Sequence, residues 1–261
     1  MPVDVSKLPV PPLPTLPNLN ATVPNDLDVQ KVASEWLDLL SDAIESNNAD
    51  KAASLFVEDS WWRDMLALTW DFRTFHGVPA IKAFLRDRVE VTHPRAFKLR
   101  QDFLELQRPY EDLAWINAFF DFETDTGIGF GIFRLVPTAT GEWKAHVVYT
   151  NLEDLKGFPE KIGVLRNSQP NHGHWEEDRN CEKEFKTSDP VVLVIGAGQS
   201  GLEVAARLKC LEIPTLVIER NERIGDNWRK RYEALCLHDV VCKFQSCAYI
   251  PSFESCCTYR V

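Results

Sequence analysis

Apolar positions in the first half of the chain recur at helical spacing and then switch to alternation. From Val29 to Ile44 the residues Val32, Trp36, Leu39, Leu40, Ala43 and Ile44 lie on one face, with Asp26 or Asp28 available as a cap, which is the pattern of an amphipathic helix. A shorter helix is expected from Asn48 through Phe56, and a third where Pro79 takes a first-turn position ahead of Ile81, Phe84, Leu85 and Val89. Three helices thus precede any strand. After Arg95 the period becomes two: Phe97 to Leu106 alternates with a slip near Phe103 and Leu104 that suggests a bulge. Ala114 to Glu123 sets Trp115 and Phe119 on one side and Ile116, Ala118, Phe120 and Phe122 on the other. Turn signals at Asp125-Thr126-Gly127 and Thr140-Gly141 mark off strands Ile128 to Val136 and Trp143 to Thr150. Helices followed by an antiparallel meander predict an α+β domain over residues 25–156.

A different pattern begins near residue 190. Val191 to Ile195 is a continuous apolar run rich in β-branched residues, as in a parallel strand buried on both faces. Leu202, Ala205, Ala206 and Leu208 then recur at helical spacing from Gln199 to Leu211, Pro214 closes the helix, and Thr215 to Ile218 forms a second strand. Where the first strand ends, Gly196-Ala197-Gly198-Gln199-Ser200-Gly201 carries glycines in G-x-G-x-x-G spacing. The first glycine permits the turn, the second lets a diphosphate approach bare backbone, and the third lets the helix pack on the strand. Glu219, 18 residues past Gly201, stands at the end of the second strand, where an acid accepts hydrogen bonds from a ribose diol and disfavours a 2′-phosphate. Residues 190–239 therefore read as a partial α/β Rossmann-type βαβ unit, with FAD or NAD favoured over NADP as its nucleotide.

The remaining stretches lack period. Residues 1–24 hold seven prolines and predict an extended or disordered arm. Residues 157–189 are polar, interrupted by Pro159 and Pro170, and read as a linker; His172 and His174 there lack the further ligands a metal needs. Residues 240–261 differ abruptly in composition and hold Cys242, Cys247, Cys256 and Cys257, without paired C-x-x-C spacing. Cys242-Lys243-Phe244 can be encoded by TGT AAG TTT, which contains an intron-start consensus, so this tail is expected to be translated intron sequence.

Bulk composition narrows the function. The 261 residues are 44% hydrophobic and 26% charged, ordinary for a globular chain. A net charge of -10 argues against nucleic-acid partners. No apolar run approaches the ~18 residues of a membrane span, and no secretory leader is evident. The seven cysteines are odd in number and the first is Cys181, which fits a reducing compartment, by default the cytosol.

Residues Arg220 to Asp239, RNERIGDNWRKRYEALCLHD, resemble the segment after the first glycine motif in flavin-dependent monooxygenases of the flavin-containing and Baeyer-Villiger types. Gly225 and Trp228 match the G-G-x-W phrase of that superfamily, Asp226 departs from its second glycine, and Tyr232 and Asp239 fall near the expected distance. The resemblance implies an FAD-binding oxidoreductase. The cofactor would contact Gly196, Ala197, Gly198, Gln199, Ser200, Gly201, Glu219, Arg220, Gly225, Asn227, Trp228 and Asp239. It further implies NADPH as reductant and oxygenation of a small organic substrate. The superfamily's second glycine motif and monooxygenase fingerprint are missing, so a truncated chain that binds FAD weakly or not at all is expected.

The front half resembles the nuclear transport factor 2-like superfamily, including its SnoaL-like branch. Phe56, Asp59, Trp61 and Trp62, then Gly77 and Ile81, carry the likeness. It implies three helices on a strongly bent antiparallel sheet enclosing a conical pocket, and a possible homodimer through the sheet. Asp59, Arg63, Asp64, His76 and His146 are the ionisable groups available to such a pocket for acid-base work; Trp61, Trp62, Trp70 and Trp143 are available to line it. No spacing fixes a catalytic pair among them, and an accessory or dimerisation role is favoured.

Overall fold

A computed structural model describes residues 12–185 and 189–233. The chain separates into two compact units that meet between Gly157 and Phe158.

The first unit opens with a helical turn, α1 (Leu16–Leu19), where an extended arm was expected. The Thr15 hydroxyl accepts from the Asn18 amide at 3.4 Å, and the Leu16 amide donates to the Asp112 carbonyl at 2.7 Å, so this part of the leader is tied down. Helix α2 (Val29–Glu45) is capped by Asp28, whose carboxylate accepts from the Lys31 amide at 3.0 Å. Its core face contains Trp36, Leu40, Ala43 and Ile44 as expected, with Leu37 buried while Leu39 is exposed.

Helix α3 (Ala49–Ala53) is shorter than anticipated, because Phe56 already belongs to strand β1 (Phe56–Met65). Strand β2 (Phe72–His76) pairs antiparallel with β1 before helix α4 (Val78–Thr92) begins. The β1–β2 hairpin thus comes before α4, the third helix expected ahead of any strand. The hairpin escapes periodicity because its inward positions include the polar residues Ser60 and Asp64 beside Trp62, all three buried.

The expected single strand from Phe97 to Leu106 is two, β3 (Arg95–Leu99) and β4 (Glu105–Tyr110). Both pair antiparallel with successive parts of β5 (Leu113–Glu123). Strands β6 (Gly127–Pro137) and β7 (Trp143–Leu155) complete the order β2-β1-β7-β6-β5-β3. Because β1 runs parallel to β7, the sheet is mixed and not purely antiparallel as predicted.

Helices α2 and α4 press their apolar stripes onto one face of this sheet. Trp36 lies 4.6 Å from Phe133 between ring centres, Phe56 lies 5.7 Å from Trp62, and Trp62 meets Phe84 edge-on at 5.4 Å. Burial of each large apolar side chain contributes roughly 1.5–3 kcal/mol. These rings belong to one buried cluster with Phe120 and Phe122. A hollow beside them, lined by Ala43, Ile44, Leu85 and Val89, has no room for a water molecule.

In the second unit the segment expected to be a plain linker carries a 3-10 turn at Gly163–Leu165 and helix α5 (Trp175–Glu184). Glu176, Glu177 and Asp178 occupy the first turn of α5, where the helix dipole favours acids. Strand β8 (Val192–Ile195), helix α6 (Gln199–Cys210) and strand β9 (Thr215–Ile218) follow in the predicted order. The two strands are parallel, with Val192 opposite Thr215 and Ile195 opposite Ile218. A last helix, α7 (Asp226–Arg231), ends the described residues but for Tyr232 and Glu233. Asp239 and residues 240–261 lie outside them.

Candidate functional site

The β8–α6 corner is built by its glycines. Gly196 adopts φ +100°, a left-handed conformation open to glycine at little cost, and its amide donates to the Ile218 carbonyl at 2.8 Å. A methyl group on Gly201 would stand 1.9 Å from the Gly196 carbonyl oxygen, so only glycine lets α6 start this close to the turn. Space beside Gly196 is open, and the nearest atom to a methyl placed on Gly198 would be the Asn227 amide nitrogen at 3.4 Å. Bare backbone at the start of a helix, with room in front of it, suits an anionic group.

Glu219 meets this corner directly. Its Oε2 accepts from the Ala197 amide at 2.7 Å, while Oε1 accepts from the Asn221 amide at 2.9 Å and from the Asn221 side chain at 2.7 Å. The Asn221 backbone N–H, then that of Ala197, hold its carboxyl below the usual carboxylate range. The structure therefore joins the strand-end acid to the glycine turn. Gln199, Ser200 and Arg220 are exposed around it.

The 225–228 loop lies beside the same turn. Gly225 caps α7, and its carbonyl accepts from the Trp228 and Arg229 amides at 3.0 and 3.1 Å. Trp228 is 36% exposed and stacks with Tyr232 at 5.8 Å, so it is not a core residue. Asp226, the departure from the family's second glycine, is buried. Burial pushes its carboxyl up, but a hydrogen bond from Arg229 and the charges of Arg223 and Lys230 outweigh this and hold it low. Sequence reasoning missed Asn221 and Lys230, since neither belongs to a motif; Lys230 donates to the Asn221 side-chain oxygen at 3.0 Å.

The ionisable residues of the first unit do not all lie on one face of the sheet. Asp64 is fully buried and accepts from the Leu68 and Thr69 amides at 3.1 and 2.9 Å, from the Thr69 hydroxyl at 2.7 Å and from the Thr150 hydroxyl at 2.7 Å. Thr150 in turn accepts from the Trp62 indole at 3.0 Å. This carboxylate pins the loop after β1, a structural task. Trp61 pairs with His76 across the hairpin, and because the adjacent Trp62 is buried in the core, both point to the other face of the sheet.

There His76 stacks on Trp61 at 3.9 Å and bonds Asp59, while Arg63 donates to Thr74 at 2.6 Å. His146 keeps its Nδ1 buried without a partner, and burial lowers its pKa despite a hydrogen bond to the Asp59 backbone. Trp70 is exposed, and Trp143 packs at the edge of the core. Among the described residues no three His, Cys, Asp or Glu side chains are placed to hold a metal. None of the helices among the described residues is long and apolar enough to cross a membrane.

Together these features define a two-unit chain: an α+β helix-on-sheet domain followed by a parallel β-α-β unit with a glycine corner. No family model matches it. Short stretches are similar to known oxidoreductases. The indole-3-pyruvate monooxygenase YUCCA1 of Oryza sativa subsp. japonica is 35% identical over 63 residues, 24% of this chain and 16% of that protein. An uncharacterized CzcO-like oxidoreductase of Geobacillus kaustophilus is 48% identical over 46 residues, 18% of this chain and 13% of that protein. The matched stretches thus span about a sixth or less of these curated relatives' length. A Nostoc punctiforme domain of unknown function with a cystatin-like fold aligns over 64% of this chain and all of its own, at 13% identity and a TM-score of 0.39. The relatives belong to the oxidoreductase class that the glycine motif and the Gly225-to-Trp228 phrase suggested.

Proposed function

We propose that the second unit is the nucleotide-binding part of an FAD-dependent monooxygenase homologue, held in the cytosol. The observation that carries this is the contact between the Glu219 carboxylate and the Ala197 amide, which brings a ribose-type acid to an open glycine corner. Bare backbone at Gly196 and Gly198 would receive the diphosphate, with the α6 N-terminus behind it. Glu219 would accept from the ribose hydroxyls, Arg220 and Asn227 would flank the nucleotide, and Trp228 would cover it. Bound FAD would supply the redox chemistry, with NADPH as reductant and dioxygen as oxygen donor for a small organic substrate. This chain's share is binding and orientation.

The exposed open face of β8 and β9 leaves the unit little to hold it rigid, so the 261-residue chain is expected to bind FAD weakly and to oxidise NADPH slowly or not at all. Titrating the purified chain with FAD while following flavin absorbance, and repeating with Glu219→Ala, tests the reading. Weak binding that the substitution reduces supports it. Binding indifferent to Glu219, or no binding at all, overturns it, whereas a tight equimolar flavin complex overturns only the expectation of weak binding.

A second reading makes the first unit a non-catalytic dimerisation module. It is favoured by the sheet's outer face, where Trp61, Phe130 and Tyr149 are only half-buried among Arg63, Arg134, Asp121 and Glu123. Two copies related by a two-fold axis would bury these rings against each other, while Asp121 and Glu123 keep their partners Arg100 and Lys156 within the chain. Light scattering of the purified chain at the monomer mass would exclude it.

A further inference from the structure

We infer that Asn221, locked by Lys230, is a positioning residue that fixes the Glu219 carboxylate for a ribose hydroxyl. The inference rests on the nucleotide reading above and names residues which that reading leaves out. A side-chain amide can point either way in principle, but here both ends are decided. Lys230 has only protons to give and donates to Oδ1 at 3.0 Å, whereas ionised Glu219 has only lone pairs and takes Nδ2 at 2.7 Å. The backbone amide of the same residue holds the same oxygen, Oε1, at 2.9 Å.

Oε1 is thereby saturated with two donors, and Oε2 takes one, from Ala197 at 2.7 Å. A carboxylate offers about four acceptor sites. Those three bonds come from Ala197 and Asn221, and the Arg220 backbone N–H also bears on the carboxylate, so the room left for a ligand lies on Oε2, the less crowded oxygen at the glycine corner. The carboxylate cannot spin without breaking three bonds, and the free site is presented in one direction. Such preorganisation is what turns a generic acid into a detector of a single hydroxyl. Without the Asn221 side chain, Oε1 regains an empty site and the carboxylate loses its clamp on the side away from the corner.

ADP and 2′-deoxy-ADP are the probes, titrated calorimetrically into the full chain at up to millimolar concentration. A hydrogen bond to a charged group discriminates by about tenfold or more, so the original chain should prefer ADP by about that factor. Asn221→Ala should bring the two affinities to within about twofold, and Lys230→Met should lower the preference about threefold, since the amide stays but is free to turn. A merely structural role would weaken both ligands equally and leave their ratio unchanged, which would overturn the inference while the nucleotide reading stands. If ADP fails to bind the original chain at all, both fall. Circular dichroism of each variant at the original amplitude shows that any change in ratio belongs to the site.

Discussion

The two units of this chain follow the same rule of apolar pattern and reach opposite results. In the first, strands β5 to β7 and helices α2 and α4 bury Trp36, Trp62, Phe120, Phe133 and Leu135 almost completely. In the second, the apolar runs form the strands and helix they predict, yet among its described residues only Ala197 and Asp226 are buried. One face of β8 and the residue before it show why: Val191, Leu193 and Ile195 are 74%, 53% and 80% exposed. Parallel strands with such composition are ordinarily covered on both faces, and among the described residues helix α6 packs on them. Local pattern suffices for secondary structure, whereas stability needs a second layer.

The largest test of this contrast is Trp62→Ala. The indole sits against Phe56 and Phe84 and donates to Thr150, so the substitution opens a cavity and frees the Thr150–Asp64 pair. A loss of about 3–5 kcal/mol is expected for a buried aromatic, read as a lower urea midpoint of the first unit. If that unit tolerates the change with a shift below about 1 kcal/mol, its core is not what holds it.

Next in size is Gly201→Val. The added carbon meets a backbone oxygen and not a flexible side chain, so α6 must move away from the turn. Overpacking of this kind costs about 1–3 kcal/mol. With so little buried surface to offset it, the second unit should lose its protease resistance and its ADP binding, while the first unit's melting temperature stays put. A coupled drop in both units would break the distinction between them.

Much of this was legible beforehand. The β8–α6–β9 order, the glycine corner and the approach of Glu219 to it follow from local rules: a buried run ends, glycines allow the turn, and a second strand brings its end beside the first. The cap at Asp28 and the start of α4 at Pro79 are similarly local. What failed was non-local. The β1–β2 hairpin was hidden because Asp64 points inward, where its charge is satisfied by Thr69 of the adjoining loop and by Thr150, 86 positions away. The parallel pairing of β1 with β7 joins residues about as far apart as the domain permits. The front-unit carboxylates and histidines were grouped by type, but strand parity separates them, placing Asp64 in the core and His76 on the outer face. Asn221 acquires its importance only through a lysine nine positions later.

The smallest effect expected is a pH dependence confined to the first unit. His146 is the ring whose burial without a partner at Nδ1 lowers its pKa from the ordinary value near 6.5. Asp59 pulls the other way, while Arg134 and His76 add to the lowering. The unfolded chain then binds this proton more readily than the folded one, so protonation favours unfolding. The associated stability is complete above about pH 6.5 and is lost as pH falls through the lower folded value. Asp125 and Glu123 are held below their ordinary values by Arg95 and by Lys156 respectively, so their contributions fade only near and below about pH 4.5, in a separate window. Comparing urea midpoints at pH 7.5 and 5.5 therefore keeps clear of these carboxylates, and the variant singles out His146. The original chain should be less stable at the lower pH, and His146→Gln should flatten that difference. A drop that persists in the variant would assign the acid sensitivity to another group and leave the buried nitrogen without a thermodynamic role.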